Sequence, residues 1–139
     1  MKAMILAAGE GLRMRPLTLL RAKPALPVLN RPLLHHSLEL LARHGVREVL
    51  VNLHHLPATV MDAVGEGGGF GLRVTYSRES RLLGTGGGPR RVADFFGDAP
   101  FFLVNGDIVC DFDLSDLLAR HLRSGARATL ALRANPDPR

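Results

Sequence analysis

Leu6-Ala7-Ala8-Gly9-Glu10-Gly11-Leu12-Arg13-Met14-Arg15-Pro16-Leu17-Thr18, followed five residues later by Lys23-Pro24, is the stretch on which the reading of this chain turns. The apolar residues 3–6 just before it have the pattern of a buried first strand, so the glycines fall where a strand ends and the backbone must turn sharply. Glycine there lets backbone N–H groups approach an anion with no Cβ in the way. Arg13 adds a planar fork of donors and Lys23 a compact positive charge. A strand end, two glycines and two cations in this order suit a triphosphate.

Two familiar nucleotide loops do not fit. A Walker loop closes on Gly-Lys-Ser/Thr, and this one reads Gly11-Leu12-Arg13. A dinucleotide fingerprint wants a third glycine where Arg13 stands, a helix opening at once, and an acid about 20 positions further on. Pro16, Pro24 and Pro27 forbid one continuous helix, and the next acid after Glu10 is Glu39. Taken alone, a Gly-x-Gly turn between basic residues is more often a solvated surface loop.

Working outward, apolar and helical stretches alternate. The expected strands are 2–7, 48–53, 72–77, 101–105 and 128–133, several of them rich in β-branched residues. Between them Leu34, Leu38 and Leu41 recur at i, i+4 and i+7, with Gly45 placed to end that helix. Shorter helices are expected over 57–64, before a turn at 65–71, and over 89–96. A last one over 114–123 has Asp113 as N-cap and Gly125 as stop. The alternation predicts an α/β fold: a doubly wound, mainly parallel sheet with helices on both faces. Ligands of such sheets bind beyond the carboxyl ends of the strands, where the Gly9 loop, the Gly84 loop and Asp107 all fall.

Composition sets the outer limits. The 139 residues suffice for one modest core, read as a single domain over 1–139. With 46% hydrophobic and 22% charged residues the chain has the balance of a globular protein, not a disordered one. No apolar run nears the roughly 20 residues of a membrane span, and Met1-Lys2 leads straight into a strand, so a cytoplasmic protein with no membrane partner is expected. Net charge is +5, which by itself would allow a nucleic-acid partner. The basic residues are scattered, however, with one Tyr, no Trp and no nucleic-acid module, so no nucleic acid is expected and a polyanionic small substrate explains the charge. The lone Cys110 is expected to be a small buried residue.

The stretch 6–18, together with Lys23-Pro24-Ala25-Leu26-Pro27-Val28-Leu29-Asn30-Arg31-Pro32-Leu33-Leu34, resembles the signature of the sugar-1-phosphate nucleotidyltransferases. Leu83-Gly84-Thr85-Gly86-Gly87-Gly88 and Val104-Asn105-Gly106-Asp107 are similar to that family's second and third motifs, in the same order. The resemblance runs over nearly the whole chain and implies a Rossmann-like nucleotidyltransferase fold. It also implies that a comparable length of chain, carrying sugar contacts and a second metal-binding acid, would normally follow. By that resemblance Ala8, Gly9, Gly11 and Leu12 form the nucleotide loop, Arg13 grips the triphosphate, and Lys23 approaches the α-phosphate and the incoming phosphate. Asp107 would hold Mg²⁺, Asn105 would meet the ribose or sugar, Gly84 and Thr85 would line the base, and Glu79 would be either a base-side contact or a solvated loop residue.

The implied partners are an NTP, with UTP or GTP foremost, and a sugar 1-phosphate. The implied reaction is NMP transfer with release of pyrophosphate. Gly84-Thr85-Gly86-Gly87-Gly88 departs from the Gly-Thr-Ala-Gly run of mannose-1-phosphate guanylyltransferases and is more similar to N-acetylmuramate-1-phosphate uridylyltransferases, so the base stays open. The alternative is a nucleotide-binding module without catalysis. A homo-oligomer is compatible with the expectation that the sheet leaves apolar surface exposed. His54-His55 is not expected to bind metal, because neighbours on an extended chain point to opposite faces. His35-His36 is expected at the start of a helix without chemistry. Asp111 and Asp113, an Asp-x-Asp also seen in glycosyltransferases, read more simply as a helix cap.

Overall fold

Strand β1 (Lys2–Leu6) runs through the middle of the molecule, and a computed structural model describing residues 1–134 shows why. It pairs in parallel on both sides, with β4 (Glu48–Leu53) and with β6 (Phe101–Asn105), while β5 (Arg73–Arg78) pairs with β4. The order β5-β4-β1-β6 is that of a doubly wound sheet, as the alternation predicts. Ala3, Met4 and Ile5 have no exposed surface, which is why this strand reads as an unbroken apolar run.

Residues of β1 alternate between two layers. Ala3 and Ile5 join Val49 and Val51 against α2 (Leu33–Arg43), α3 (Pro57–Val64) and α6 (Leu114–Ser124), where Leu34, Leu38, Leu41 and Val60 are wholly buried. Met4 and Leu50 face the other way, towards α4 (Gly84–Arg91) and α5 (Ala93–Phe96). That second layer is thin. Phe96 stacks on Phe101 with centroids 3.7 Å apart, and Lys2 Nζ donates to the Phe95 carbonyl at 2.6 Å. On the same face of β6, Phe101 and Leu103 keep 39% and 46% of their surface exposed. The antiparallel pair β2 (Pro27–Val28) and β3 (Arg31–Pro32) and the four-residue α1 (Leu17–Leu20) sit outside the main sheet.

Local chemistry sets the ends of the elements. Asp113 Oδ1 accepts from the N–H groups of Ser115 and Asp116, both at 3.0 Å, and Gly125 closes α6 in the left-handed region. Gly45 follows α2 with positive φ, as its placement after the Leu34, Leu38, Leu41 stripe predicts. No helix among the described residues is long and apolar enough to cross a membrane.

Three expectations need correction. The run 128–133 forms no strand: Leu130 and Leu132 are among the most exposed large hydrophobic residues described, and nothing there offsets the cost of ordering the backbone. The helix expected over 89–96 instead begins five residues earlier, at Gly84, ends at Arg91, and is followed by the single turn of α5. Four glycines disfavour helix by about 1 kcal/mol each relative to alanine, and tertiary contacts of α4 with β1 override that preference. Cys110 is half-buried at the margin of the larger core and not enclosed.

Leu38→Ala, which empties a site with no exposed surface, should lower unfolding free energy by about 2–5 kcal/mol. Leu130→Ala, at 75% exposure, should stay within about 0.5 kcal/mol of the parent. Urea titration followed by circular dichroism measures both.

Candidate functional site

The site begins where β1 loses its sheet partners. Ala7 N–H donates to Asn52 Oδ1 at 2.8 Å, and Gly106 N–H donates to the Leu6 carbonyl at 2.9 Å, so side chain and backbone together satisfy the end of the strand. This point lies between β1 and β6, where the winding of the sheet reverses, and a cavity of about 770 Å³ opens there.

The chain then folds back on itself. Gly11 has φ +63°, and a Cβ at that position would come within 2.8 Å of Thr18 Cγ2, so any other residue is strained twice over. Thr18 is buried and its hydroxyl donates to the Gly11 carbonyl at 2.9 Å. His55 Nε2 donates to the Thr18 carbonyl at 2.6 Å, and Ala22 N–H donates to Thr59 Oγ1 at 3.0 Å, which fastens the loop to the β4–α3 connection and to the first turn of α3. A turn of 3-10 helix, Leu12–Met14, leaves Arg13 exposed, and a second, Lys23–Ala25, turns Lys23 towards the strand ends. Across the opening Lys23 Nζ meets Asp107 Oδ2 at 2.6 Å. Both side chains keep solvent contact, so the pair adds about 0–1 kcal/mol to stability and is readily exchanged for other partners.

Of the residues singled out from sequence, Ala8, Gly9, Gly11, Leu12, Arg13, Lys23, Gly84, Thr85, Asn105 and Asp107 all line this one cavity. Gly84 and Thr85 do so as the first residues of α4 and not as a loop. Glu79 does not line it. It is 5% exposed, with Oε1 accepting from Asn52 Nδ2 at 2.8 Å and Oε2 from Leu83 N–H at 3.0 Å, so it is neither a solvated loop residue nor at the cavity surface. Asn52 and Leu82, which lie outside the sequence motifs, and Met14, which lies inside the first motif but is not singled out by it, also line the cavity. Asn52 leaves one signal, a polar residue inside the apolar strand Val49-Leu50-Val51-Asn52-Leu53.

The histidines serve as ties between elements. His54 Nδ1 donates to the Glu79 carbonyl at 2.9 Å, while His35 Nε2 donates to the Ala63 carbonyl at 2.8 Å from the first turn of α2. Among the described residues no group of three or more His, Cys, Asp and Glu side chains is placed to hold a metal ion. Displaced ionisation is found away from the cavity. A hydrogen bond from Arg31 holds the Glu39 carboxyl below its ordinary range, Arg73 does the same for Glu48, and burial raises the Tyr76 phenol.

A parallel sheet with a glycine turn, two cations and a carboxylate at its reversal point is an α/β arrangement chemically suited to an anionic ligand. Residues 2–139 match the family model described as nucleotidyl transferase, and the chain belongs to that family. It is 37% identical over 148 residues to a UTP–glucose-1-phosphate uridylyltransferase of Synechocystis and 38% identical over 137 residues to a mannose-1-phosphate guanylyltransferase of Mycobacterium tuberculosis. Each match takes in 99% of this chain and 38% of the relative, so the chain spans well under half the length of these relatives. Among solved structures, a UDP-glucose pyrophosphorylase from Acinetobacter baumanii superposes with TM-score 0.79 at 18% identity, over 90% of this chain and 53% of that one. HddC from Yersinia pseudotuberculosis gives TM-score 0.77 at 25% identity, over 87% and 54%. The sequence resemblance and the fold class agree with these relatives.

Gly11→Ala should destabilise the chain by about 1–3 kcal/mol, since a left-handed backbone position and a close contact are both violated. Gly9→Ala, where a Cβ would meet nothing within 4 Å, should leave the melting temperature almost unchanged. Differential scanning calorimetry on the two variants separates the roles of the two glycines.

Proposed function

We propose that the chain is the nucleotide-binding part of a sugar-1-phosphate nucleotidyltransferase domain whose remainder lies outside residues 1–139. In that reaction an NMP passes from an NTP to a sugar 1-phosphate, and pyrophosphate leaves. The observation that carries the reading is the convergence of the Gly9–Gly11 turn, Arg13, Lys23 and Asp107 on one cavity at the sheet's reversal point. The relatives' names support both the reaction class and UTP or GTP as the nucleotide. An NTP substrate suits a cytoplasmic site of action.

The chemistry asks little of the protein beyond position and charge. A phosphate monoester with second pKa near 6 is mostly dianionic at neutral pH, so its oxygen can attack the α-phosphorus in line without a general base. Backbone N–H groups of 8–12 bind triphosphate oxygens, Arg13 neutralises charge that builds on the departing pyrophosphate, and Lys23 steadies the α-phosphate and the entering oxygen. Asn105 orients the ribose or sugar, and Gly84 and Thr85 border the base.

Asp107 is the residue that would hold Mg²⁺. It is the one carboxylate on the cavity wall among the described residues, which suits an ion that commonly keeps several waters and takes its other ligands from substrate phosphates. When bound, the ion supplies Lewis-acid neutralisation of the reacting phosphates. On binding, Lys23 would exchange its ion pair with Asp107 for phosphate oxygens.

Calorimetric titration with UTP, GTP, dTTP and ATP in the presence of Mg²⁺ should show binding of at least one. Binding of none would overturn the reading. In a form of the enzyme that turns over, Arg13→Ala, Lys23→Ala and Asp107→Asn should each lower turnover by about tenfold or more, the last with weakened Mg²⁺ dependence.

A second reading is a nucleotide-binding module without catalysis. Exposed Phe101 and Leu103 beside the open edge of β6 also predict self-association of the 139-residue chain. Light scattering together with a pyrophosphate-release assay addresses both points. A monomer with substantial turnover would remove the second reading and the predicted association together.

A further inference from the structure

Asn52 lies one residue before the end of β4, on the sheet face that carries Met4 and Leu50, and it is buried. Both ends of its amide are used. Oδ1 accepts from Ala7 N–H and Nδ2 donates to Glu79 Oε1, each at 2.8 Å, while Glu79 Oε2 accepts from Leu83 N–H at 3.0 Å. Ala7 is where β1 leaves the sheet for the glycine turn, and Leu83 is the N-cap of α4. One chain of hydrogen bonds therefore joins the phosphate-side wall of the cavity to the wall formed by Gly84 and Thr85. Chemistry fixes its direction: a backbone N–H can only donate, so Oδ1 must face Ala7, and a carboxylate can only accept, so Nδ2 must face Glu79.

The pair is also clamped from above. A Cβ on Gly88 would lie 2.9 Å from Asn52 Nδ2 and 3.2 Å from Glu79 Oε1, so α4 rests on it with no room for a side chain. Glu79 has none of the described ion pairs; its oxygens are held by uncharged donors. A buried carboxylate without a cation is an expensive way to fill space, and an apolar pair of like volume would serve stability at least as well. What the polar pair adds is a fixed distance between two walls.

We propose that Asn52 and Glu79 are positioning residues for nucleotide binding, acting through Ala7 and Leu83 to hold the triphosphate turn and the Gly84–Thr85 wall at the separation one nucleoside triphosphate spans. This rests on the nucleotide reading above. Asn52→Asp sets two carboxylates against each other, and Glu79→Gln sets an amide donor against an N–H donor. The double variant N52D/E79Q is complementary again. Its new glutamine amide donates to the new aspartate and accepts from Leu83 N–H, while that aspartate still accepts from Ala7 N–H.

The test is calorimetry on the full chain with UTP, GTP and inorganic tripolyphosphate, Mg²⁺ present, and circular dichroism to confirm folding. Each single variant should bind the nucleoside triphosphate about tenfold more weakly, with a smaller loss for tripolyphosphate, which reaches only one wall; the double variant should return to within about threefold. Folded single variants with unchanged affinity, equal losses for both probes, or a double variant no better than the singles would overturn the proposal. If the singles do not fold, recovery of folding and nucleotide binding in the double variant supports it, and failure of the double overturns it. A parent chain that binds no nucleoside triphosphate overturns the nucleotide reading, whereas a parent that binds while the cycle fails overturns only the positioning role.

Discussion

Strand β1 is paired on both sides and covered on both faces, and the requirement that its backbone polar groups stay satisfied where it stops shapes everything beyond it. At Leu6 the carbonyl is taken by Gly106 N–H, which draws the β6 loop alongside. At Ala7 the N–H is taken by a side chain, Asn52, reaching over from β4. Because those two partners come from opposite neighbours of β1, the strand end becomes a crevice flanked by elements wound in opposite senses. The cavity forms there because the sheet reverses there.

The charges at this crevice are arranged for exchange more than for stability. Lys23 and Asp107 are close enough for a strong contact in a dry interior but remain open to water, where such a pair adds little. Under the proposed function, an incoming polyanion with its counter-ion would replace this weak interaction with stronger ones. The surrounding polypeptide is stiff by comparison: Thr18, Thr59 and His55 hold the loop from beneath through hydrogen bonds that do not depend on ligand. A rigid turn presenting exposed cations is what electrostatic preorganisation requires.

The two sides of the sheet are unequal. One is filled by three helices around Leu34, Leu38 and Leu41, whereas the other has a few side chains around Met4, Leu50 and Phe96. Phe101 and Leu103 mark where apolar surface continues past that small cluster. The relatives matched are more than twice as long, and the polar pair Asn52–Glu79 lies on this thinner side.

Sequence alone carried the parts of this protein governed by local rules. The Leu34, Leu38, Leu41 stripe, the Asp113 cap, the stops at Gly45 and Gly125, and the unbroken apolar β1 are each decided within a few residues, by helical period, capping or burial on both faces. The glycine turn with Arg13 and Lys23 was legible as a candidate site for the same reason, since a strand end, glycines and cations fall within a few residues of one another. Tertiary structure decided what depends on distant partners. The glycines after Leu83 became helix because α4 packs against β1, and 128–133 remained unpaired because nothing among the described residues buries Leu130 and Leu132. Glu79 went inside because Asn52, 27 residues earlier, offers the donor that a buried carboxylate needs. No local pattern encodes a hydrogen bond between side chains that only the sheet brings together.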